Sequence, residues 1–272
     1  MKYSFEQKKL SEHVTQITEA SGVSAFLVTG TQRAALLDTC SGLKGLKETV
    51  GALTSLPLDV ILTHGHGDHA GSAADFENVY MHPADRELRK QHNLTMRMDY
   101  VQTMLGPEAE LSEEDFVPDA EGVFAELTDG QVFDLGGIRL EIIHVPGHTK
   151  GSCCVLLQEE SAILFGDACN VNTLVMDENS TDISGYRRSL EYLKTFGGRY
   201  GTVYYSHGPA VGPRECLEDN IELCGRILAG TDDAIPCEFF GRKAIRAAAI
   251  SPDFRRVDGK FGNIVYSELT RK

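Results

Sequence analysis

The sequence predicts an α+β fold built as one domain with two halves, each of which runs through strands and then helices. Three observations lead to this prediction. Short apolar runs of strand length alternate with stretches of helical periodicity, and glycine-containing turns separate them. A chain of 272 residues with 42% hydrophobic residues can bury a substantial core. Neither a repeat of fixed period nor a low-complexity linker divides the sequence.

The first half contains the clearer patterns. Leu43–Leu53 carries apolar residues at helical intervals, whereas Leu58–Leu62 is a short continuous apolar run, typical of a strand buried on both faces. The predicted strands of this half are Ser24–Val28, Ala34–Asp38, Leu58–Leu62 and Val79–Met81, and its predicted helices are Leu43–Leu53 and one that opens in Asp68–Phe76.

The segment from Pro83 to about Glu121 interrupts the succession of strands. It is charged, rich in methionine and helical in propensity, so it predicts a helical insertion near 83–121. Such an insertion can cover a site or form a partner surface, for example in a homodimer. A helical hairpin packed on the core is the alternative, and the sequence leaves these possibilities open.

Strand patterns return in the second half, where Asp129-Gly130 and Gly136-Gly137 are typical hairpin turns. The predicted strands are Val123–Leu127, Gln131–Leu135, Ile138–Val145, Cys153–Gln158, Ala162–Phe165 and Thr202–Ser206, and the predicted helices are Gly185–Phe196 and Pro213–Leu228. Asn263–Ser267 is predicted to be an edge strand. We therefore expect a single domain over 1–272, with a functional core at 24–208 and a helix-and-strand extension at 213–272.

Composition excludes several classes of function. The formal net charge of −14 argues against nucleic acid as a partner, because binding a polyanion requires a basic surface. No apolar run is long enough to cross a bilayer, and the polar start Met1–Leu10 lacks the apolar core of a signal peptide. We therefore expect a cytoplasmic protein that acts on a small molecule. Seven cysteines, an odd number, favour reduced thiols over disulfides.

The segment Thr63–His69 carries the strongest chemical signal. It places three imidazoles and one carboxylate within six positions, namely His64, His66, Asp68 and His69. Burying these groups together without a metal is costly, since each of them would need its own polar partner. Imidazole and carboxylate are the ligands that zinc and similar metals take. The segment also follows a predicted buried strand, at the end where such sheets place their sites.

Three later residues share this context, each a metal-ligand type at the end of a predicted strand and close to glycine. They are His148 in Pro146–Ser152, Asp167 after Ala162–Phe165, and His207 after Thr202–Ser206. A lone histidine at a strand end is more often structural than functional. The recurrence of the same context at four places indicates one common metal site.

Together these segments resemble the metallo-β-lactamase superfamily. Thr63–His69 matches its T-H-x-H-x-D-H motif, Pro146–Ser152 its P-G-H-T-x-G-S segment, and Gly166-Asp167 and Ser206–Gly208 its later motifs, in the same order. The resemblance covers roughly 24–208. It implies a four-layer αββα sandwich, with two mixed sheets packed face to face, helices outside and metal ions in a cleft at one edge.

The resemblance also implies roles for individual residues. It implies a first metal ion bound by His64, His66 and His148, a second bound by Asp68, His69 and His207, and a bridge made by Asp167. All these ligands offer nitrogen or oxygen, so zinc is the first choice and iron or manganese are alternatives. A water shared by two divalent ions becomes a hydroxide nucleophile near neutral pH, and Asp68 is the candidate catalytic residue because it can orient that hydroxide.

The expected activity is metal-dependent hydrolysis of a small ester, thioester or lactone. The pattern is closest to thioesterases of the glyoxalase II type, which act on hydroxyacylglutathione, although residues 234–272 end in a strand-like segment where that type has a helical domain. Asp167 disfavours a true β-lactamase. A phosphodiesterase or β-lactamase-like hydrolase is the alternative, followed by a non-hydrolytic binding or redox protein, for which glutamate would be expected at His66.

The remaining polar candidates near these motifs are given structural roles. Tyr186 and Lys150 could assist catalysis, but a structural or surface role is favoured for both. Four further histidines lack a partner pattern and are left out of the site: His13, His82, His92 and His144. Among them His144 is expected to lie in the core or behind a metal ligand, because it falls within a strand.

Overall fold

The computed structural model describes residues 3–120, 122 and 124–272, and it contains two large sheets packed between helices. The first sheet holds seven strands in chain order: Glu6–Lys9 (β1), Val14–Thr18 (β2), Ser24–Thr29 (β3), Ala34–Leu37 (β4), Leu58–Ile61 (β5), Val79–Met81 (β6) and Ala125–Glu126 (β7). Strands β1 to β4 pair antiparallel, and β4 to β7 pair parallel. The sheet is therefore mixed, as predicted.

Four helices accompany the first sheet: Leu46–Leu53 (α1), Gly67–Ala70 (α2), Arg86–Gln91 (α3) and Leu94–Leu105 (α4). Helices α3 and α4 confirm the predicted helical insertion, whose last residue, Glu121, lies outside the described residues, as does Val123 at the start of a predicted strand. The helix predicted from Asp68 to Phe76 consists of α2 and a separate 3-10 turn at Ala73–Asp75, because the chain bends after Ala70.

The strands of the second sheet are Val132–Asp134 (β8), Arg139–His144 (β9), Cys153–Leu157 (β10), Ala162–Leu164 (β11), Thr202–Tyr204 (β13) and Val211–Gly212 (β14). They lie in the order β14-β13-β11-β10-β9-β8. Only the pair β11 and β13 is parallel. Helix Ile183–Lys194 (α5) precedes β13, and helix Cys216–Ala229 (α6) follows β14 and begins three residues later than predicted.

A third sheet of four strands was not predicted from the sequence. It has the order β12-β17-β16-β15, with Thr173–Val175 (β12), Ile235–Phe239 (β15), Arg242–Arg246 (β16) and Ile264–Tyr266 (β17). The prediction of an edge strand at Asn263–Ser267 was wrong, because β17 pairs with β12 on one side and β16 on the other. All three residues of β17 are buried, as expected of a central strand.

Three apolar clusters fill the spaces between the layers. The middle cluster joins the facing sides of the two large sheets, through residues such as Phe26 and Leu37 on one and Ile142 and Val155 on the other. A second cluster lies between the first sheet and helices α1 and α4, and a third lies between the second sheet and helices α5 and α6. The order of layers is therefore helix, sheet, sheet, helix, which confirms the predicted αββα sandwich.

All seven cysteines are free thiols, and six of them are buried. Among the described residues no helix combines the length and the apolar character that a bilayer crossing requires.

Candidate metal centre

The seven predicted ligand residues come together at one edge of the sandwich. Each of them follows the carboxyl end of a strand: the cluster 64–69 follows β5, His148 follows β9, Asp167 follows β11 and His207 follows β13. Two backbone contacts join the sheets at this edge, since Cys153 N donates to Thr63 O at 2.8 Å and Ser24 N donates to Ser206 O at 2.8 Å. The topology therefore gathers residues that lie far apart in the sequence.

His64, His66 and His148 form the first group of possible ligands. His66 Nδ1 lies 3.0 Å from His64 Nε2 and 2.9 Å from His148 Nε2. Each imidazole nitrogen carries at most one proton, so His66 Nδ1 cannot serve both contacts as a donor. Three ring nitrogens that face one point at this spacing fit a metal ion, which accepts all their lone pairs at once.

Asp68, His69 and His207 form the second group. His69 Nε2 lies 3.2 Å from His207 Nε2, and Asp68 Oδ2 lies 3.4 Å from His207 Nε2 and 3.6 Å from His69 Nε2. The ligand atoms of this group also lie within 4.8 Å of one another. It therefore offers a second point at which one carboxylate and two imidazoles converge.

Asp167 lies between the two groups. Its Oδ2 is 3.8 Å from His148 Nε2 in the first group, and it is 3.6 Å from His69 Nε2 and 3.4 Å from His207 Nε2 in the second. Its Oδ1 is buried and finds no hydrogen-bond partner in the part of the chain that the structure describes. A buried carboxylate oxygen without a partner is costly, and a bound cation would satisfy it.

Burial determines the charge of the first group. It lowers the pKa of His64 well below the ordinary value, and the neighbouring His69 and His66 lower it further. Burial and the adjacent His148 act in the same direction on the pKa of His66. Both rings are therefore neutral at pH 7, which is the form that binds metal.

Charge pairing dominates in the second group. Burial would raise the pKa values of Asp68 and Asp167, but the neighbouring histidines, His69 and His207, outweigh burial and hold both well below the ordinary value. Burial would lower the pKa of His207, but Asp167 and Asp68 raise it to about 10. Both carboxylates are therefore ionised at pH 7, which is the form that binds metal.

A chain of hydrogen bonds behind the ligands fixes their rings. Thr63 Oγ1 donates to Asp38 Oδ2 at 2.8 Å and lies 3.1 Å from His64 Nδ1, while His69 Nδ1 lies 2.8 Å from the same carboxylate oxygen. His148 Nδ1 lies 2.7 Å from Leu174 O in β12. These acceptors hold the protons on Nδ1, so that Nε2 of His64, His69 and His148 faces the centre.

Sequence reasoning missed three residues at this centre. His92 was left out, but its ring centroid lies 4.7 Å from that of His66, and its Nδ1 accepts from Gly67 N at 3.1 Å. Asp85 is buried and accepts from Gly65 N and Gly151 N, so it lies between the two loops that carry His64 and His148. Burial and then the charges of Asp68 and Asp167 raise the pKa of Tyr100 in helix α4. All three belong to the helical insertion or its first turn, and no local motif in the sequence marks them.

The structure bears on the other polar candidates as well. Tyr186 is buried and donates to Ala168 O at 2.9 Å, and Lys150 Nζ donates to Glu178 O at 2.7 Å, so both have the structural or surface contacts that were favoured. The prediction for His144 was wrong. Its ring is partly exposed and stacks on that of His82, with 3.8 Å between centroids.

Comparison with known proteins supports the family resemblance. The family model described as "Metallo-beta-lactamase superfamily" matches residues 18–207. An atrochrysone carboxyl ACP thioesterase from Claviceps purpurea is 26% identical over 195 residues, which cover 70% of this chain and 52% of that protein. An acyl-coenzyme A thioesterase from Homo sapiens is 25% identical over 211 residues, covering 70% and 74%. The chain thus spans about half the length of the fungal relative.

Solved structures show the same fold. A metallo-beta-lactamase family protein from Thermus thermophilus has a TM-score of 0.57 and 25% identity, covering 76% of each chain. The metallo-beta-lactamase FIM-1 from Pseudomonas aeruginosa, in its mono-zinc form, has a TM-score of 0.60 and 16% identity, covering 82% of this chain and 96% of that one.

Proposed function

Because the chain belongs to the metallo-β-lactamase superfamily, we propose that it is a metal-dependent hydrolase whose substrates are small thioesters or related esters and lactones. One observation carries the proposal: the seven ligand-type side chains converge in three overlapping groups, and the group of His64, His69 and Asp167 connects the other two. The curated relatives named as thioesterases support the choice of a thioester. A phosphodiester or a β-lactam remains the alternative substrate.

We assign two divalent ions to these groups, with zinc as the first choice. The ligands are His64, His66 and His148 for one ion, Asp68, His69 and His207 for the other, and Asp167 between them. The neutral imidazoles support the fit, as does the buried Asp167 Oδ1, which has no hydrogen-bond partner among the described residues. When bound, such ions lower the pKa of water and polarise a carbonyl oxygen.

Asp68 has the position of a catalytic residue in this proposal. Its side chain is 17% exposed, so one side of the carboxylate faces the cleft while the other lies 3.4 Å from His207 Nε2. Its low pKa keeps it ionised, so it can accept a hydrogen bond from the attacking water and orient that water towards the acyl carbonyl. Hydrolysis then transfers the acyl group to water and releases the thiol.

Metal removal tests the proposal directly. We expect about two zinc ions per chain by elemental analysis, and thioester hydrolysis that a chelator abolishes and zinc restores. His66→Ala and His207→Ala should each lower kcat/KM by at least about 100-fold, since loss of a ligand exceeds the effect of losing its outer partner. His13→Ala is the matched control, because His13 contacts only Thr29 O at the surface among the contacts described for its ring.

The substrate is tested with a panel of thioesters, lactones, phosphodiesters and β-lactams at equal concentration. Thioester turnover should exceed the others. Activity that survives both chelation and His66→Ala would contradict metal-dependent hydrolysis. Preferential turnover of a phosphodiester or a β-lactam would instead replace the proposed substrate class.

A further inference from the structure

The hairpin formed by β15 and β16 carries two adjacent aromatic residues at its tip. The ring centroids of Phe239 and Phe240 lie 4.9 Å apart, and Phe240 is 59% exposed. The Phe240 ring also lies 6.1 Å from that of Tyr100 in helix α4. The tip of the C-terminal hairpin thus meets the helical insertion through aromatic side chains.

Tyr100 connects this contact to the candidate metal centre. Its ring packs on the apolar cluster beneath helix α4, and helix α4 contacts helix α2, which carries Asp68. One turn earlier in helix α4, Arg97 donates to Gly71 O at 3.0 Å, just beyond the segment of proposed metal ligands. The aromatic contact therefore lies on the helix that packs beside the proposed ligand Asp68.

The other side of the hairpin tip is also anchored near the centre. Arg242 Nη1 lies 3.3 Å from Asp177 Oδ2. Asp177 opens a turn in which Ser180 N donates to Asp177 O at 3.1 Å and Ser180 Oγ donates to His148 O at 2.8 Å. The tip is thus held between helix α4 and the loop that supports His148.

The backbone at the tip is unfavourable for the residue it carries. Phe240 has φ 46° and Gly241 has φ 72°, and positive φ at both central residues is typical of a type I′ turn. This turn favours Asn-Gly, whereas a bulky residue at positive φ is strained. Since Phe240 is largely exposed, core packing does not explain its presence. Strain of this kind is often retained where a side chain has a function.

We propose that Tyr100 and Phe240 form one wall of the subsite that holds the acyl group of the substrate, and that this group is apolar. The inference rests on the proposed function, because it places the acyl carbonyl at the metal centre beside Asp68. From there an acyl chain can extend along the Tyr100 ring to Phe240. Aromatic faces of this kind bind alkyl or aromatic groups by excluding water from both surfaces.

The test uses ligands that cannot be hydrolysed. S-ethyl and S-octyl thioethers of N-acetylcysteamine are titrated into the zinc-loaded full chain by calorimetry, and the two dissociation constants are compared. The variants are Phe240→Ala and Phe240→Asn, of which the second suits the turn and should not lower Tm. Phe254→Ala is the matched control, since Phe254 is 83% exposed and has no contact with Tyr100 among the described aromatic pairs.

The wild type and Phe254→Ala should prefer the octyl ligand. Both Phe240 variants should bind it at least about fivefold more weakly, with little change for the ethyl ligand. Wild-type affinity for the octyl ligand in both Phe240 variants, equal losses for both ligands, or no octyl preference in the wild type would overturn the subsite. Thioester turnover is measured separately, so an octyl preference without turnover would contradict the proposed function and leave the subsite supported.

Discussion

At the scale of single residues, one buried carboxylate joins the two loops that carry the candidate metal ligands. Asp85 Oδ2 accepts from Gly65 N at 2.9 Å and from Thr149 Oγ1 at 2.6 Å, and its Oδ1 accepts from Gly151 N at 2.7 Å. The space around it is fully used, since a Cβ on Gly65 would lie 2.9 Å from the Asp85 Cβ. Asp85 therefore fixes the distance between His64 and His148 without contacting the centre.

Replacement of Asp85 tests this role. Asp85→Ala leaves two buried amides and a hydroxyl without their acceptor, so the free energy of unfolding should fall by about 3 kcal/mol. Thr149→Val removes only one of these hydrogen bonds and should cost about 1 kcal/mol. Urea unfolding of the metal-free proteins measures both. Equal stability of the two variants would show that Asp85 does not join the loops.

The stacked pair His82 and His144 provides a pH-sensitive contact away from the metal centre. Their rings are 3.8 Å apart at an interplanar angle of 15°. Burial and then the charge of His144 lower the pKa of His82 to about 4, although Asp129 and Glu126 oppose the shift. A depressed folded pKa means that the contact stabilises the protein above the ordinary value of 6.5, and that this stability is lost as the pH falls from there towards 4.

The stabilising contribution of His82 should appear as a difference in the free energy of unfolding between the wild type and His82→Phe, both without metal. Since His82 is only half-buried, we expect it to contribute about 1–2 kcal/mol at pH 7 that is absent at pH 4. His82→Phe retains a flat ring on His144 but has no group at position 82 that can titrate. The free energy of unfolding of this variant should therefore fall less than that of the wild type between pH 7 and pH 4. Urea unfolding at pH 7, 5.5 and 4 measures the difference. Parallel curves for the two proteins would exclude this contribution.

At the scale of elements, a buried arginine attaches the helical insertion to the core. The Arg97 side chain is fully buried in helix α4, and it donates to Gly71 O at 3.0 Å, Val117 O at 2.9 Å and Asp119 Oδ1 at 2.9 Å. It thereby joins the helix, the segment of candidate metal ligands and the end of the insertion. A methionine or leucine at this position would leave both carbonyls without this donor and would remove the ion pair with Asp119, whose Oδ2 still accepts from Leu94 N at 3.0 Å.

We expect Arg97→Met to lower the free energy of unfolding by about 3 kcal/mol, because it leaves the carbonyl oxygens of Gly71 and Val117 without the buried side chain that donates to them. The insertion should also become sensitive to limited proteolysis between residues 83 and 120. Arg86→Ala is the control, since Arg86 pairs with Glu126 at the surface and such pairs contribute at most about 1 kcal/mol. Protease resistance equal to that of the wild type would contradict the proposed attachment.

Sequence patterns predicted the elements that are buried on one face or on both faces. Strand β5 is a continuous apolar run and helix α5 carries an apolar stripe, so local periodicity reveals both. The candidate ligands at the strand ends were found from the order of the motifs. Strands β15 and β16 escaped because only one of their ten residues, Ala244, is buried, so no apolar pattern marks them. Tyr100 and Asp85 escaped for another reason: their roles arise from tertiary contacts between segments that are distant in the chain.

At the scale of the whole molecule, the third sheet links the C-terminal segment to the candidate metal centre. Strand β17 pairs in parallel with β12, where Tyr266 lies opposite Val175. The preceding residue of β12, Leu174, supplies the carbonyl that contacts His148 Nδ1 at 2.7 Å. Tyr266 also packs in the cluster beneath helices α5 and α6. The C-terminal strand therefore supports both the outer core and the orientation of a proposed ligand.

This link predicts that damage to β17 reaches the metal centre. Tyr266→Ala removes a fully buried ring and should lower the free energy of unfolding by about 3–5 kcal/mol. By loosening β12 it should also weaken zinc binding about tenfold, the effect typical of losing a ligand's outer partner. Competition with a chelator measures zinc affinity in folded protein at low temperature, and Phe254→Ala, at an 83% exposed position, should change neither quantity. If Tyr266→Ala lost stability but bound zinc as tightly as the wild type, the third sheet would stabilise the fold without orienting His148.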